Sequence, residues 1–351
     1  MAIDRLAFYA GALAKTDRAV YRITDWAAGI LAPTYLTRVA ETERERYIPK
    51  KFGQHDGWLF LNYFDQIAPI VDQFAGRKVA FLLKHGDVTA NTILPSFAKT
   101  RPVGSYGNSI ILKLNTNRHW SQADFDEVKA NDMPFAEKAK RVVWRGVSSG
   151  HWYADPKSRH SDYQSARFNL VLDWALANED WVDVGLTKTT RQFDNPKSGY
   201  LPTGAVQKYR KPPVSIAEQL KSKYILVPEG KDVATGLKWA LTSRSVVMMP
   251  KPTISSWLME EKLEPWKHFI PVKKDFSDLR EKFELANENP DLCESILDEA
   301  NAYMRQFEDD AQEKALQTKL FEMYLERIKF KVSPGLGVRS FEALNVRWEK
   351  A

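Results

Sequence analysis

Three short stretches carry residue types suited to work on an anionic small molecule. The first is His85-Gly86-Asp87, which follows the apolar run KVAFLLK (78–84). Between residues 75 and 120 the cations Arg77, Lys78, Lys84, Lys99, Arg101, Lys113 and Arg118 stand against the lone acid Asp87, a net of +6 that equals the formal charge of the whole chain. A carboxylate in such a field stays ionised at neutral pH and can take a proton from a hydroxyl delivered to it. The other reading is a turn-forming Asp paired to a nearby Lys. The second stretch is WRGVSSG (144–150), where an Arg and small residues close an apolar run. Glycine lets a backbone approach a phosphate, and the fork of Arg145 can grip two phosphate oxygens; alternatively Arg145 is a salt-bridged surface residue. The third is PEGKDVATG (228–236). There Gly230 makes a turn, Asp232 caps a helix expected over 233–242, and the free N–H groups of the helix start favour a diphosphate. Glu229 beside them can accept two hydrogen bonds from a ribose diol.

Other chemistries find little purchase. The six histidines show neither H-x-H nor H-x-x-x-H spacing, so no metal is expected. Asp124-Phe125-Asp126 has the acidic spacing that holds a divalent ion in one class of sugar transferases, but it falls in a polar helical stretch (121–140) rather than at a strand end. There is no G-x-S-x-G elbow, no Walker loop and no G-x-G-x-x-G fingerprint. The single cysteine, Cys293, excludes an intrachain disulfide and a Cys-based zinc cage; it sits in a helix that looks exposed.

The elements that must hold these stretches follow from pattern. Helical spacing covers 7–30 and 58–74, and strands are expected over 78–84 and 109–114. From residue 141 strands (141–144, 181–185, 224–228, 245–250, 269–272) alternate with helices (161–178, 216–222, 233–242, 276–287), which argues for a parallel sheet covered on both faces. Ligands of such sheets bind at the carboxyl ends of the strands. One long helix or a pair follows over 291–331. The chain of 351 residues, 44% apolar and 27% charged, is long enough for two domains and excludes disordered, collagenous and disulfide-scaffold classes. No apolar run approaches a membrane span, and the charged start does not read as a signal peptide.

Taken in order, H-G-D, NSIILKLNxxRHW, VVWRG, Arg167-Phe168, KYILVPEGxDVATGLKW and SVVMMPKP resemble glycosyltransferase family 90 over about 78–328, most closely its bacterial lipopolysaccharide-modifying branch. The resemblance implies a GT-B fold, with two Rossmann-like domains facing across a cleft. Residues 1–140 would form an acceptor-side domain with a helical extension, 141–310 the nucleotide-sugar domain, and 311–351 a helix crossing back to the first. It implies a UDP-sugar donor carrying xylose or glucose, inversion without a metal, and a glycan or glycolipid acceptor. By position, Asp87 is the implied catalytic base. Arg145, Gly146 and Ser148 form the loop below the donor, Arg167 binds the diphosphate, and Glu229, Gly230, Asp232, Val233, Ala234 and Thr235 form the nucleotide loop. The chain has Gly236 where animal members carry Arg, so Lys231 or Lys238 would stand in. It has Val147 where they carry Ser, so Ser148 or Ser149 would supply the hydroxyl.

Two other classes fit parts of the sequence. A non-catalytic carbohydrate or glycolipid binder on the same fold would use some of the 11 Trp to stack on sugars. A nucleic-acid binder would use the basic stretch at 75–120, but it leaves the EGxDVAT loop without a role. The reading adopted has no nucleic-acid partner and a cytoplasmic protein, with peripheral contact at an anionic inner membrane left open.

Overall fold

The computed structural model describes residues 4–23, 34–39, 63, 66–67, 69–74, 79–84, 86–149, 166–189 and 206–332. The chain divides into two compact units: residues 1–116, 254–258 and 309–351 in the first, and 117–253 and 259–308 in the second.

In the second unit five strands form one sheet in the order Ile270–Pro271, Val246–Met249, Ser222–Leu226, Ala139–Val147, Val182–Lys188, with every pair parallel. Numbered along the chain and read from the other edge, this is the order 2-1-3-4-5, that of a doubly wound α/β sheet. Strands Ser222–Leu226 and Val246–Met249 are buried along their whole length, as expected where helices cover both faces. Phe168 and Val171 of helix Ala166–Trp174 and Ile296 and Leu297 of helix Pro290–Arg305 pack in the same core as Val142, Val184, Leu226 and Met248. Pro290 opens its helix at the first turn, where no N–H is needed.

The first unit contains a four-stranded mixed sheet ordered Thr34–Val39, Val79–Lys84, Ser96–Ala98, Ser109–Ile111. Helix Asp310–Arg327 covers it: Phe321 lies 5.1 Å from Phe81 and 5.2 Å from Phe97 by ring centres, and the Tyr324 hydroxyl donates to the Pro95 carbonyl while accepting from the Leu82 N–H. Strand Thr100–Pro102 pairs antiparallel with Ile254–Ser256.

Several expectations need correction. The helix expected over 7–30 is a short helix, Arg5–Ala10, followed by a 3-10 turn and then strand Ala19–Ile23, which pairs in parallel with Ile328–Val332. Residues 24–30 lie outside the described residues, whereas within 58–74 the described residues, 63, 66–67 and 69–74, are helical, the last three as a 3-10 turn. The expected strand at 109–114 ends at Ile111, and the helix over 121–140 ends at Asn131, with Ala139 already in the next strand. Strands at 34–39, 96–98, 100–102 and 254–256 lie outside the expected set; the last three are only three residues long, too short for periodicity to register. Cys293 is fully buried, not exposed. No helix among the described residues is long and apolar enough to cross a membrane.

Candidate functional site

A cavity of about 310 Å³ opens in the second unit, a size usual for small-molecule sites. Its wall includes Gly146 and Val147 at the end of one strand and Leu226, Val227 and Pro228 at the end of its neighbour. These are strands 1 and 3 of the 2-1-3-4-5 order, so the cavity lies at the carboxyl edge where the strand order reverses. Trp144 and Trp239 give it aromatic surface, Gln219 an amide, and Arg118, Arg145 and Arg167 its guanidinium groups.

Gly146 follows from Trp144. The two residues project to the same face of the strand, and a Cβ on Gly146 would fall 2.5 Å from Trp144 Cζ2. Arg145, on the other face, is already bound. Nη2 donates to both Asp183 carboxylate oxygens at 2.8 Å, Nη1 to the carbonyls of Asp183 and Trp144, and Nε to the Pro212 carbonyl. Those five bonds use its five N–H groups, so of the two readings of Arg145 the ion pair is the one present. Lys211 Nζ also reaches Asp183 at 3.0 Å. Burial alone would raise the Asp183 carboxyl, but hydrogen bonds from Lys211 and Arg145 outweigh it and hold the group below its ordinary range.

Arg167, near the start of helix Ala166–Trp174, directs Nη1 to the Val147 carbonyl at 3.3 Å and Nε and Nη2 to the Pro228 carbonyl at 3.4 Å. It therefore joins the two strand ends, and a Cβ on Gly230 would meet Nη2 at 3.1 Å. Glu229 is oriented by Thr253, whose N–H donates at 2.7 Å and whose hydroxyl donates at 2.5 Å, one to each carboxylate oxygen.

The loop after Pro228 differs from expectation. The helix begins at Leu237 with Gly236 at its N-cap, and Asp232 is buried in a bend four residues earlier. The run V-A-T-G has poor helical propensity, and local bonding such as Gly230 N–H to the Asp232 carbonyl at 3.0 Å holds the loop instead. The resulting helix, Leu237–Thr242, is too short to offer the expected anion-binding start. Ala234 and Thr235 line the cavity, whereas Ser148, Glu229, Gly230, Asp232 and Val233 are not on its wall. Ser148 is buried, its N–H donating to the Lys188 carbonyl at 3.0 Å. Lys238 cannot stand in for an arginine in this loop, because it is buried in an ion pair with Glu260 at 2.9 Å. Asp124 and Asp126 lie on helix Gln122–Asn131.

In the first unit, Asp87 follows strand Val79–Lys84 by a turn in which Gly86 has φ +84°, a conformation that suits glycine. The Thr100 hydroxyl holds the next carbonyl, Val88, at 2.9 Å. The Asp87 carboxylate is 40% exposed and takes a bond from the buried Lys99 ammonium at 3.3 Å. His85 lies outside the described residues.

Three of the described cations of the basic stretch, Lys99, Arg101 and Lys113, turn inward instead of adding to a positive face. Lys99 pairs with Asp87 and Lys113 with Glu313, both lysines being buried. Buried Arg101 donates to the carbonyls of Phe8, Tyr9 and Ser109 between the rings of Phe8 and Tyr106. Arg77 and Lys78 lie outside the described residues. Arg118 is exposed, on the cavity wall. Arg118, Trp144 and Trp239 were not read as site residues, although each stands inside a quoted motif (NxxRHW, VVWRG, GLKW). What was missing was which face of its element each occupies.

A doubly wound sheet with an arginine-bearing cavity at its switch point places the chain among α/β proteins whose ligand sites form at the carboxyl edge of the strands. The family model for glycosyl transferase family 90 matches residues 116–343, well over half of the chain, and the chain belongs to this family; it is a glycosyltransferase. The matched span contains every cavity residue and begins after Asp87. The chain is 27% identical over 308 residues to O-glucosyltransferase LpsA of Dichelobacter nodosus, covering 80% of this chain and 86% of that protein. It is 30% identical over 166 residues to protein O-glucosyltransferase 2 of Danio rerio, covering 47% of this chain and 30% of that protein.

Proposed function

We propose that the protein transfers glucose or xylose from a UDP-sugar to a hydroxyl of a glycan or lipopolysaccharide-type acceptor, with inversion and without a metal. The observation that carries this is the cavity at the strand 1 and strand 3 ends, whose arginines and tryptophans suit a nucleoside diphosphate. The names of the two relatives favour glucose over xylose. In this reading the two units are the two Rossmann-like halves of a GT-B enzyme, working in the cytoplasm on an acceptor at the inner membrane face.

The reaction needs one carboxylate. Asp87 takes the proton of the acceptor hydroxyl as that oxygen bonds to the anomeric carbon; the bond from that carbon to the β-phosphate oxygen breaks, and its electron pair leaves with UDP. Charge grows on the diphosphate as the bond breaks, so cations fixed beforehand on the donor side stabilise the transition state more than the ground state. Arg167, anchored to both strand ends, is one such cation. Arg145 contributes by holding Asp183 and the strand edge.

The test is thermal unfolding with UDP, UDP-glucose, UDP-xylose and UDP-GlcNAc, with and without chelator, followed by transfer assays with the donor that raises the midpoint. A chelator-insensitive shift is expected. Asp87→Asn should bind UDP normally and lose about 10²-fold or more of turnover. Near-normal transfer by that variant would remove Asp87 from the reaction, and no shift with any nucleotide would overturn the donor assignment.

A further inference from the structure

Three arginines stand on the cavity wall, and their surroundings differ. Arg145 has its N–H groups taken by Asp183, Trp144 and Pro212, and Arg167 is tied to the carbonyls of Val147 and Pro228. Arg118 is exposed and, among the described residues, its guanidinium makes no hydrogen bond or ion pair. Its backbone is nevertheless fixed. Helix Thr116–His119 carries it, the next residue His119 is buried, and Trp120 packs against Phe125 with ring centres 4.5 Å apart. A long side chain with five unused donors, rooted on a fixed segment and reaching a cavity, is arranged to receive an anion from solution.

We propose that Arg118 is the diphosphate-gripping residue of this cavity, the cation that engages the donor when it arrives. The inference rests on the nucleotide-sugar reading above. Its chemical basis is that a guanidinium without a protein partner gives up only water to bind phosphate, whereas Arg145 would have to leave Asp183 and strand that carboxylate beside Lys211 alone. Arg118 thus supplies affinity for the charged part of the donor, while Trp144, Trp239 and the apolar strand ends meet the rest.

The experiment is calorimetric titration of the full chain with UDP and with uridine at two ionic strengths, for the wild type, Arg118→Ala and Arg118→Lys. Loss of one charge-assisted phosphate contact should weaken UDP by about 10-fold to 100-fold in Arg118→Ala, with Arg118→Lys intermediate. Uridine affinity should not change, and the salt dependence of UDP binding should flatten in Arg118→Ala. Because the Arg118 side chain is exposed and makes no hydrogen bond or ion pair among the described residues, the unliganded midpoint should stay at the wild-type value. If wild type binds UDP and Arg118→Ala binds it equally well, Arg118 has no part in the grip while the donor reading stands. Equal weakening of UDP and uridine would make the effect one of cavity shape and overturn the proposal. If wild type binds neither ligand, both readings fall together.

Discussion

Adding one methyl group at residue 146 tests how the cavity wall is built. A Cβ on Gly146 would lie 2.5 Å from Cζ2 and 3.0 Å from Cε2 of Trp144, at least 0.5 Å inside ordinary carbon contact of about 3.5–4.0 Å even at the nearer limit. Trp144 is only 5% exposed and belongs to the core, so its ring cannot swing away without displacing packed neighbours. Overpacking of this kind costs about 1–3 kcal/mol. Gly146→Ala should therefore lower the stability of the second unit by that amount, read as a shift of the urea midpoint at unchanged slope. The mechanism is isolated by repeating the substitution in a Trp144→Leu background, where the side chain ends well short of Cζ2. There Gly146→Ala should cost less than about 0.5 kcal/mol, a coupling of about 0.5–3 kcal/mol between the two positions. An equal cost in both backgrounds would mean that Gly146 answers a backbone requirement and not the indole, and the account of this wall would be wrong.

Two further outcomes follow from burial. Cys293 is fully buried, and that burial pushes its thiol up to about 11, so at pH 8 roughly one thiol in a thousand is ionised. An aromatic disulfide reagent should leave the native protein unlabelled for hours and label it fully in denaturant; complete native labelling within minutes would contradict the packing around helix Pro290–Arg305. His268 accepts the Glu264 N–H at Nδ1 at 2.8 Å, which requires an uncharged nitrogen there. Burial, then the charge of Lys267, push its pKa below 6.5 against the weaker opposing pull of Glu264 and Glu299. The unfolded chain then binds the proton first, so the stability from neutral His268 is complete above about pH 6.5 and is lost as pH falls below it toward the folded-state pKa. The wild-type urea midpoint should fall more between pH 7.5 and 5.5 than that of His268→Gln, whose amide oxygen accepts without titrating. Parallel profiles would refute the assignment.

What the sequence determined by itself was local and periodic. The alternation after residue 141 gave a parallel sheet because strands such as 222–226 and 246–249 are apolar throughout, and only burial on both faces makes that composition stable. Gly146 and Arg145 at a strand end, and the ordered motifs from HGD to SVVMMPKP, were likewise legible, and they pointed to the family that the chain belongs to. The long-range pairings were not. Strand Ala19–Ile23 exists because Ile328–Val332 lies beside it, a partner some three hundred residues away that no window of local pattern contains. Nor could composition say that most described cations of the basic stretch turn inward: Glu313, far along the chain, neutralises Lys113, and main-chain carbonyls satisfy Arg101. The same holds for the arginines of the cavity. All three are visible as letters, but whether a guanidinium is committed or available depends on which carboxylates and carbonyls the fold brings within about 3 Å of it, and that only the tertiary structure decides.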